Sequence, residues 1–184
     1  SRSMAGKPEL ARQRESAAEV LSIHERKLPV PAREAGALLD GLSSPRDRLW
    51  PRDAWPSMQL TPDLRVGARG GHGPVRYEVE TYEPGRRVRF RFSAPRGLNG
   101  FHEFEVLPSG AGCVLRHLLE ARLEGLARLS WPLIYGPLHD ALLEDALDRA
   151  ESALGTGAGR RESWSYRVRL LRRLLGRPAI RRPR

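Results

Sequence analysis

Apolar and polar residues alternate strictly through the middle of the chain. In PVRYEVETYEPGRRVRFRFS, residues 74–93, nearly every second side chain is apolar or aromatic on both sides of a Pro-Gly pair. This pattern predicts a β-hairpin with one buried face and one solvent face. Pairing around the turn places Glu78 opposite Arg91. It also places Glu80 opposite Arg89, and opposite charges on the polar face support this register.

A second alternating stretch, GFHEFEVLPSGAGCVLRHLLEARLE at residues 100–124, predicts another hairpin. Each of its strands carries one histidine on the face that also bears the apolar side chains. A loop over Pro108–Ala111 pairs His102 directly with His117. A loop of another length moves the two histidines to a diagonal but keeps both on the inner face. Burial beside a second imidazole is expected to lower the pKa of both.

Beyond residue 126 the apolar period lengthens from two residues to about 3.6, which predicts a helix ending near Leu154. A first strand is predicted at Glu19–Leu28, followed by a short helix within residues 31–42. Short strands are predicted at residues 58–60 and 64–68. The order is strand, short helix, run of strands and long helix. It predicts an α+β fold in which a curved antiparallel sheet wraps around the C-terminal helix.

Positive charge is concentrated at one end of the chain. The formal net charge is +10, but ten arginines and a single acid, Glu162, fall in residues 160–184. The rest is nearly neutral and lacks the basic stripe of a nucleic-acid-binding domain. The single cysteine, Cys113, fits a reducing compartment, and no apolar run resembles a signal segment or a membrane span. We therefore expect a cytoplasmic protein.

The sequence resembles the START-like superfamily of helix-grip proteins, which includes lipid-transfer domains, polyketide cyclases and pathogenesis-related plant allergens. The matching stretches are IHERKLPVPAREAGALLDGL, GGHGPVRYEVETYEPGRRVRFRF, GFHEFEVLPSGAGCVLRHLLEA and LHDALLEDALDRAESAL. The resemblance implies an α+β helix-grip fold, with about six to seven curved antiparallel strands around a long C-terminal helix. It places an N-terminal extension at 1–18, the domain at 19–155, and a Gly linker with the basic tail at 156–184.

The resemblance also implies a hydrophobic cavity between the sheet and the long helix, where superfamily members hold lipids, sterols, polyketides or other apolar molecules. We therefore predict non-catalytic binding or transport of a hydrophobic small molecule or lipid. The predicted ligand-binding residues would supply apolar contact area and a few polar groups that orient the guest. They are Tyr77, Phe90, Phe92, His102, Phe104, Leu115, His117, Tyr135, His139 and Leu142.

Other roles are open for the histidines. Some superfamily members are cyclases, dehydratases or aromatases, and His102 or His117 would then act as acid or base. Water or a backbone carbonyl that satisfies a buried pair is the plainer alternative. His139 could bring a third imidazole, but the spacing matches no short metal motif, so no metal or other cofactor is predicted.

In GARGGHGP, residues 67–74, a turn is predicted, with His72 at a cavity mouth as the minor alternative. Packing at the sheet opening is expected for Trp50, Trp55 and Trp131.

Residues 163–175 of the tail predict a basic amphipathic helix, with an apolar stripe flanked by arginines. Such a helix can lie on an anionic membrane surface or dock on an acidic partner. The alternatives are a solvated extension, a helix packed back on its own domain, and contact with nucleic acid. The residues predicted for the membrane or partner contact are Trp164, Arg167, Val168, Arg169, Leu171, Arg172, Arg173 and Leu175.

Overall fold

The alternating stretches form strands and the long periodic stretch forms a helix, as the sequence predicts. The computed structural model describes residues 18–157 and 163–175. The predicted N-terminal extension lies almost wholly outside the described residues, and so does the end of the tail at 176–184. The strands are β1 Ala18–Leu28, β2 Gln59–Thr61, β3 Arg69–His72, β4 Val75–Glu83, β5 Arg87–Ala94, β6 Leu98–Ser109 and β7 Gly112–Leu123. The helical elements are α1 Ala32–Asp40, α2 Ala127–Ser130, a π-helical turn Trp131–Tyr135, α3 Gly136–Ala153 and α4 Tyr166–Leu174.

All neighbouring strands run antiparallel, in the order β1-β7-β6-β5-β4-β3-β2. Strand β1 returns beside β7 and forms one edge of the sheet, where it contacts α3. Apolar side chains of the inner face pack with α1 and α3 in one core cluster. The architecture is therefore α+β, a curved seven-stranded sheet around a long helix, and the predicted fold class is confirmed.

Pairing of β4 with β5 confirms one part of the predicted register and corrects another. Glu78 lies opposite Arg91, as predicted. A register shift within β4 displaces Glu80, whose carboxylate accepts from Arg91 instead. Arg89 reaches to the next strand and donates to Glu103 over 2.6 Å. The predicted pairing of Glu80 with Arg89 is thus wrong, because a β-bulge interrupts a ladder that alternation alone presents as regular.

The β6–β7 hairpin closes with a two-residue turn at Gly110 and Ala111 rather than the predicted four-residue loop. Gly110 has a φ of +58°, in the left-handed region that glycine enters at little cost. The tighter turn displaces the pairing by two residues, so His117 lies opposite Phe104 and not opposite His102. The direct pairing is wrong, and the diagonal alternative is the one observed.

Helix α4 packs back on its own domain. The Ser165 side chain caps it by accepting from the Val168 backbone N–H over 3.2 Å. Val168 is buried in the core cluster, and Trp164 Nε1 donates to Asp145 of α3 over 2.9 Å. Trp164, Val168 and Arg172 are thus engaged with the protein's own domain, which is the alternative of a helix packed back on it. A membrane or partner contact of these side chains stays a prediction.

The other tail residues are placed differently. Arg167 donates to two backbone carbonyls of the π-helical turn. Leu171 is half-buried, and the exposed side chains are Arg167, Arg169, Arg173 and Leu175. Contact of these residues with a membrane or an acidic partner stays a prediction. In the described part of the chain, no helix is long and apolar enough to cross a membrane.

Candidate functional site

A cavity of about 310 Å³ lies between the inner face of the sheet and helices α3 and α4. Its volume is at the lower end of the range for small-molecule sites. The walls are mostly apolar, and their polar character comes largely from imidazoles. The aromatic and histidine residues that line it are Trp50, Trp55, Phe92, Trp131, Tyr135, His72, His102, His117 and His139. The three tryptophans assigned to packing therefore also form cavity wall.

The predicted ligand-binding residues divide into two groups. Those that line the cavity are Phe92, His102, His117, Tyr135, His139 and Leu142. Those that are fully buried and do not line it are Tyr77, Phe90, Phe104 and Leu115. Helix α1 packs on β6 and β7 and joins Phe104 and Leu115 in the core, so one end of the inner face is closed. A side chain at that end of the sheet therefore points inward without lining the cavity, because α1 covers it.

His102 and His117 contact each other across the diagonal. His102 Nδ1 lies 3.2 Å from His117 Nε2, and the ring of Phe92 stacks on His102 at 4.9 Å between centroids. Burial, with neighbouring imidazoles second, lowers the pKa of both histidines well below the usual value. His102 Nε2 and His117 Nδ1 are buried without a hydrogen-bond partner among the described residues. Both rings of this neutral pair thus line the cavity, and each keeps one buried nitrogen without a partner.

His72 also lines the cavity and extends the polar wall. Its ring packs against Trp50 at 4.7 Å between centroids, and its Nδ1 lies 3.0 Å from the Tyr77 hydroxyl. Burial lowers the pKa of His72 to about 3 and raises that of Tyr77. Tyr77 lies between His72 and His102, 4.8 Å from the latter ring. The minor alternative for His72, a place at the cavity, is therefore the one observed.

The histidines follow one another in a row that begins at His72, and we call it the histidine row. At its other end, His139 lies 5.2 Å from His117 between ring centroids and 5.8 Å from His24. His24 Nδ1 is 2.7 Å from Glu144, and His24 Nε2 is 3.1 Å from Asp140. The hydrogen bond to Asp140, with help from Glu144, raises the pKa of His24 against the opposing effect of burial. The alternation of β1 alone predicts no role for His24. Its position opposite His117 in the β1–β7 pairing is the signal that would have found it.

Arg172 closes the cavity at its α4 end. Its guanidinium lies over the indoles of Trp55 and Trp164, at 4.4 and 3.9 Å from the ring centroids, and donates to the Ala54 carbonyl. Both indole N–H groups donate to the same Asp145 oxygen, over 2.7 and 2.9 Å. Arg172 therefore joins α4 to the domain while forming part of the cavity lining.

Replacing Arg172 by alanine is expected to loosen α4 without unfolding the domain. Stacking of a guanidinium on two aromatic rings contributes about 1–2 kcal/mol when partly desolvated. Amide hydrogens of α4 should then exchange about tenfold faster, a change of about 1.4 kcal/mol. Arg169→Ala, at an exposed position of the same helix, is the matched control and should leave exchange unchanged. Equal exchange in both variants would show that Arg172 does not hold the helix.

No protein-family model matches the sequence. No curated protein is similar enough to count as a relative. Solved structures are similar in fold. Norcoclaurine synthase from Thalictrum flavum, in complex with dopamine and hydroxybenzaldehyde, has a TM-score of 0.58 at 18% identity, covering 86% of this chain and 98% of that one.

Two bacterial proteins show the same similarity. XoxI from Bacillus cereus gives a TM-score of 0.53 at 15% identity, over 73% of this chain and 94% of its own. An uncharacterised protein from Rhizobium leguminosarum gives 0.51 at 15% identity, over 77% and 98%. At these identities the similarity concerns the fold and leaves function open. The chain therefore has a helix-grip fold, a curved antiparallel sheet around a long helix, and the fold that the sequence resemblance implied is confirmed.

Proposed function

We propose that the protein binds a small molecule non-covalently in the cavity, with an apolar body and a neutral polar end such as a hydroxyl or carbonyl group. The observation that carries the proposal is the imidazole pair His102 and His117 in a mostly apolar lining, with His102 Nε2 and His117 Nδ1 left without a hydrogen-bond partner among the described residues. A buried polar atom without a partner costs about 1–3 kcal/mol. A guest that hydrogen-bonds to these nitrogens recovers that cost, whereas a purely apolar guest does not.

The charge state of the histidines favours a neutral polar end. The lowered pKa values of His72, His102 and His117 keep these imidazoles uncharged near neutral pH. Each neutral ring offers one donor and one acceptor, which suits a hydroxyl or carbonyl better than a carboxylate. The lining cation, Arg172, is engaged with two indoles at the α4 end. The apolar walls then provide most of the binding energy, and the imidazoles orient the guest.

The fold supports small-molecule binding in general. Norcoclaurine synthase, which is similar to this chain, is seen with dopamine and hydroxybenzaldehyde. Both are compact molecules with an aromatic ring and polar substituents. A guest of that class would suit aromatic walls and an imidazole row, so a lipid with a long chain is the less favoured ligand for a cavity of about 310 Å³.

Acid–base catalysis on the bound molecule, of the cyclase or dehydratase type, is the second candidate. The specific observation in its favour is the 3.2 Å contact between His102 and His117, which could relay a proton. Against it, the lowered pKa values make both imidazoles weak bases at neutral pH. Binding therefore remains the leading function. Mass spectrometry of a co-purified guest before and after incubation with the protein separates the two, because catalysis changes its mass or isomeric form.

A matched pair of probes tests the role of the histidines. Wild-type protein is expected to bind 2-naphthol about tenfold more tightly than naphthalene, because the hydroxyl can satisfy the unpartnered imidazole nitrogens. His102→Leu/His117→Leu should abolish that preference while retaining naphthalene binding. Isothermal titration calorimetry measures both affinities, and near-UV circular dichroism checks the fold. Retention of the preference in the double variant would contradict the assigned role.

The cavity itself needs a separate control. Ile134→Trp adds bulk at a lining position and should remove binding of both probes. Leu21→Trp adds the same bulk at an exposed position of β1 and should leave binding unchanged. If the two variants bind equally, the probes occupy another place and the proposed site is wrong.

A further inference from the structure

We propose that His24, His139 and Asp140 form a binding site for a divalent transition-metal ion, where edge strand β1 meets α3. The site lies at the end of the histidine row and shares His139 with the cavity lining, but metal binding there does not depend on the small-molecule binding proposed above. Two imidazoles and one carboxylate form a donor set used for zinc and for other first-row divalent ions. Ligands from a distant strand and helix leave no short sequence motif, which is why no metal was predicted.

The spacing of the donor atoms fits an ion. Asp140 Oδ1 lies 3.1 Å from His24 Nε2 and 3.3 Å from His139 Nδ1. One donor atom from each residue lies within 4.8 Å of the others. Metal–ligand bonds of about 2.0–2.2 Å in a tetrahedron place neighbouring ligands about 3.3 Å apart. Small side-chain adjustments would therefore suffice to bring the three donors onto one ion, with a further position open to water.

The surroundings of His24 match those of a metal-bound imidazole. Its other nitrogen, Nδ1, lies 2.7 Å from Glu144 Oε1. A carboxylate that accepts from the second ring N–H is the usual support for a metal-bound histidine, since it fixes the ring and leaves the other nitrogen for the ion. Arg26 Nη2 donates to the second oxygen of Glu144 over 3.0 Å and so holds this carboxylate in place. Glu144 and, behind it, Arg26 thus hold His24 with its Nε2 toward Asp140.

His139 supplies the second imidazole of the site. Its Nδ1 faces Asp140, whereas its Nε2 is buried without a hydrogen-bond partner among the described residues. The His139 and His24 side chains are each 14% exposed, and Asp140 is 59% exposed. The imidazoles are therefore held within the structure while the carboxylate side is open to solvent, which gives an ion a route of entry.

The competing explanation is an ion pair in which a protonated His24 bridges Asp140 and Glu144. In that arrangement a proton occupies His24 Nε2, where an ion would otherwise bind. The two explanations differ in a measurable way, because the ion pair needs no metal and does not require His139.

Titration of the full chain with Co²⁺ after dialysis against EDTA tests the proposal. Visible absorption bands between about 500 and 650 nm are expected to grow to one ion per chain and to disappear on addition of Zn²⁺. His24→Gln, His139→Gln and Asp140→Asn should each weaken the binding at least tenfold. Glu144→Gln should weaken it by about tenfold, as expected for a supporting carboxylate. His72→Gln, at the far end of the row, is the control and should bind normally.

Wild-type protein provides a readout that does not depend on the folding of any variant. Bound Co²⁺ should broaden and shift the NMR signals of the His24 and His139 ring protons far more than those of His72. Absence of bands and of NMR changes at millimolar Co²⁺ would overturn the proposal. So would equal weakening by His72→Gln, or normal binding in His139→Gln, which would leave only an adventitious ion on the carboxylates.

Discussion

Lowering the pH from 6.5 to 5 is expected to destabilise the protein by about 2 kcal/mol for each of His72 and His102. Burial lowers the pKa of His72 to about 3 and that of His102 well below 6.5, so both stay neutral in the folded protein across this range. In the unfolded chain each takes up a proton near pH 6.5. The unfolded state then binds more protons than the folded state, and the free energy of unfolding falls as the pH falls.

Other ionisable groups in the histidine row do not cancel this slope. The pKa of His24 is raised, so the stability it contributes is complete below pH 6.5 and is lost only at higher pH, as its folded pKa is passed. Asp140 has a lowered pKa, so its contribution is lost only in more acidic solution, below the ordinary value of 3.8. Between pH 6.5 and 5, the pH dependence of the free energy of unfolding therefore comes from the buried neutral histidines and not from His24 or Asp140.

Urea unfolding at a series of pH values, with EDTA present, measures the effect. His72→Phe and His102→Phe should each flatten the dependence by about 1 kcal/mol per pH unit over this window, and the double variant by about twice as much. His24→Gln should keep the wild-type slope in this window. An unchanged slope in the double variant would mean that neither imidazole stays neutral when folded.

Local alternation was sufficient to predict the two hairpins and the inward direction of His102 and His117. Whether a side chain points inward depends on its position within its own strand and not on the length of the loop. The inward direction of both histidines is therefore correct, although the predicted length of the turn at Gly110 is not. The strand predicted at residues 64–68 is wrong, because β3 begins at Arg69. Its sequence, RGGH, contains no apolar alternation, so His72 was assigned to a turn.

Features that depend on distant partners could not be predicted from local pattern. Strand β1 pairs with β7, and only that pairing brings His24 beside the histidines of the cavity. The apolar stripe of α4 is the same whether it meets a membrane or its own domain, since both bury apolar area. The contacts that hold α4 on the domain are made with Trp55 and Asp145, which lie outside the tail. The site is thus made mostly of contacts between remote elements.

Removing Arg89 is expected to destabilise the protein by about 3 kcal/mol, because it leaves a buried carboxylate without its charged partner. The Glu103 side chain is 5% exposed on β6, and Arg89 Nε donates to it over 2.6 Å. Arg89→Met keeps an apolar stem near Phe101, whose ring centroid lies 3.9 Å from the guanidinium. Arg89 itself is 28% exposed, which puts the expected cost at the low end for a broken buried pair.

A double variant separates the ion pair from the packing. Arg89→Met/Glu103→Leu removes both charges and should recover most of the lost stability in urea unfolding at pH 7, since no buried charge remains unpaired. Arg91→Met is the matched control on the same strand, where the partner Glu80 is 34% exposed, and should cost less than about 1 kcal/mol. If Arg89→Met and Arg91→Met cost the same, burial of Glu103 does not set the penalty. If the double variant is no more stable than Arg89→Met, the loss comes from packing over Phe101 rather than from the unpaired carboxylate.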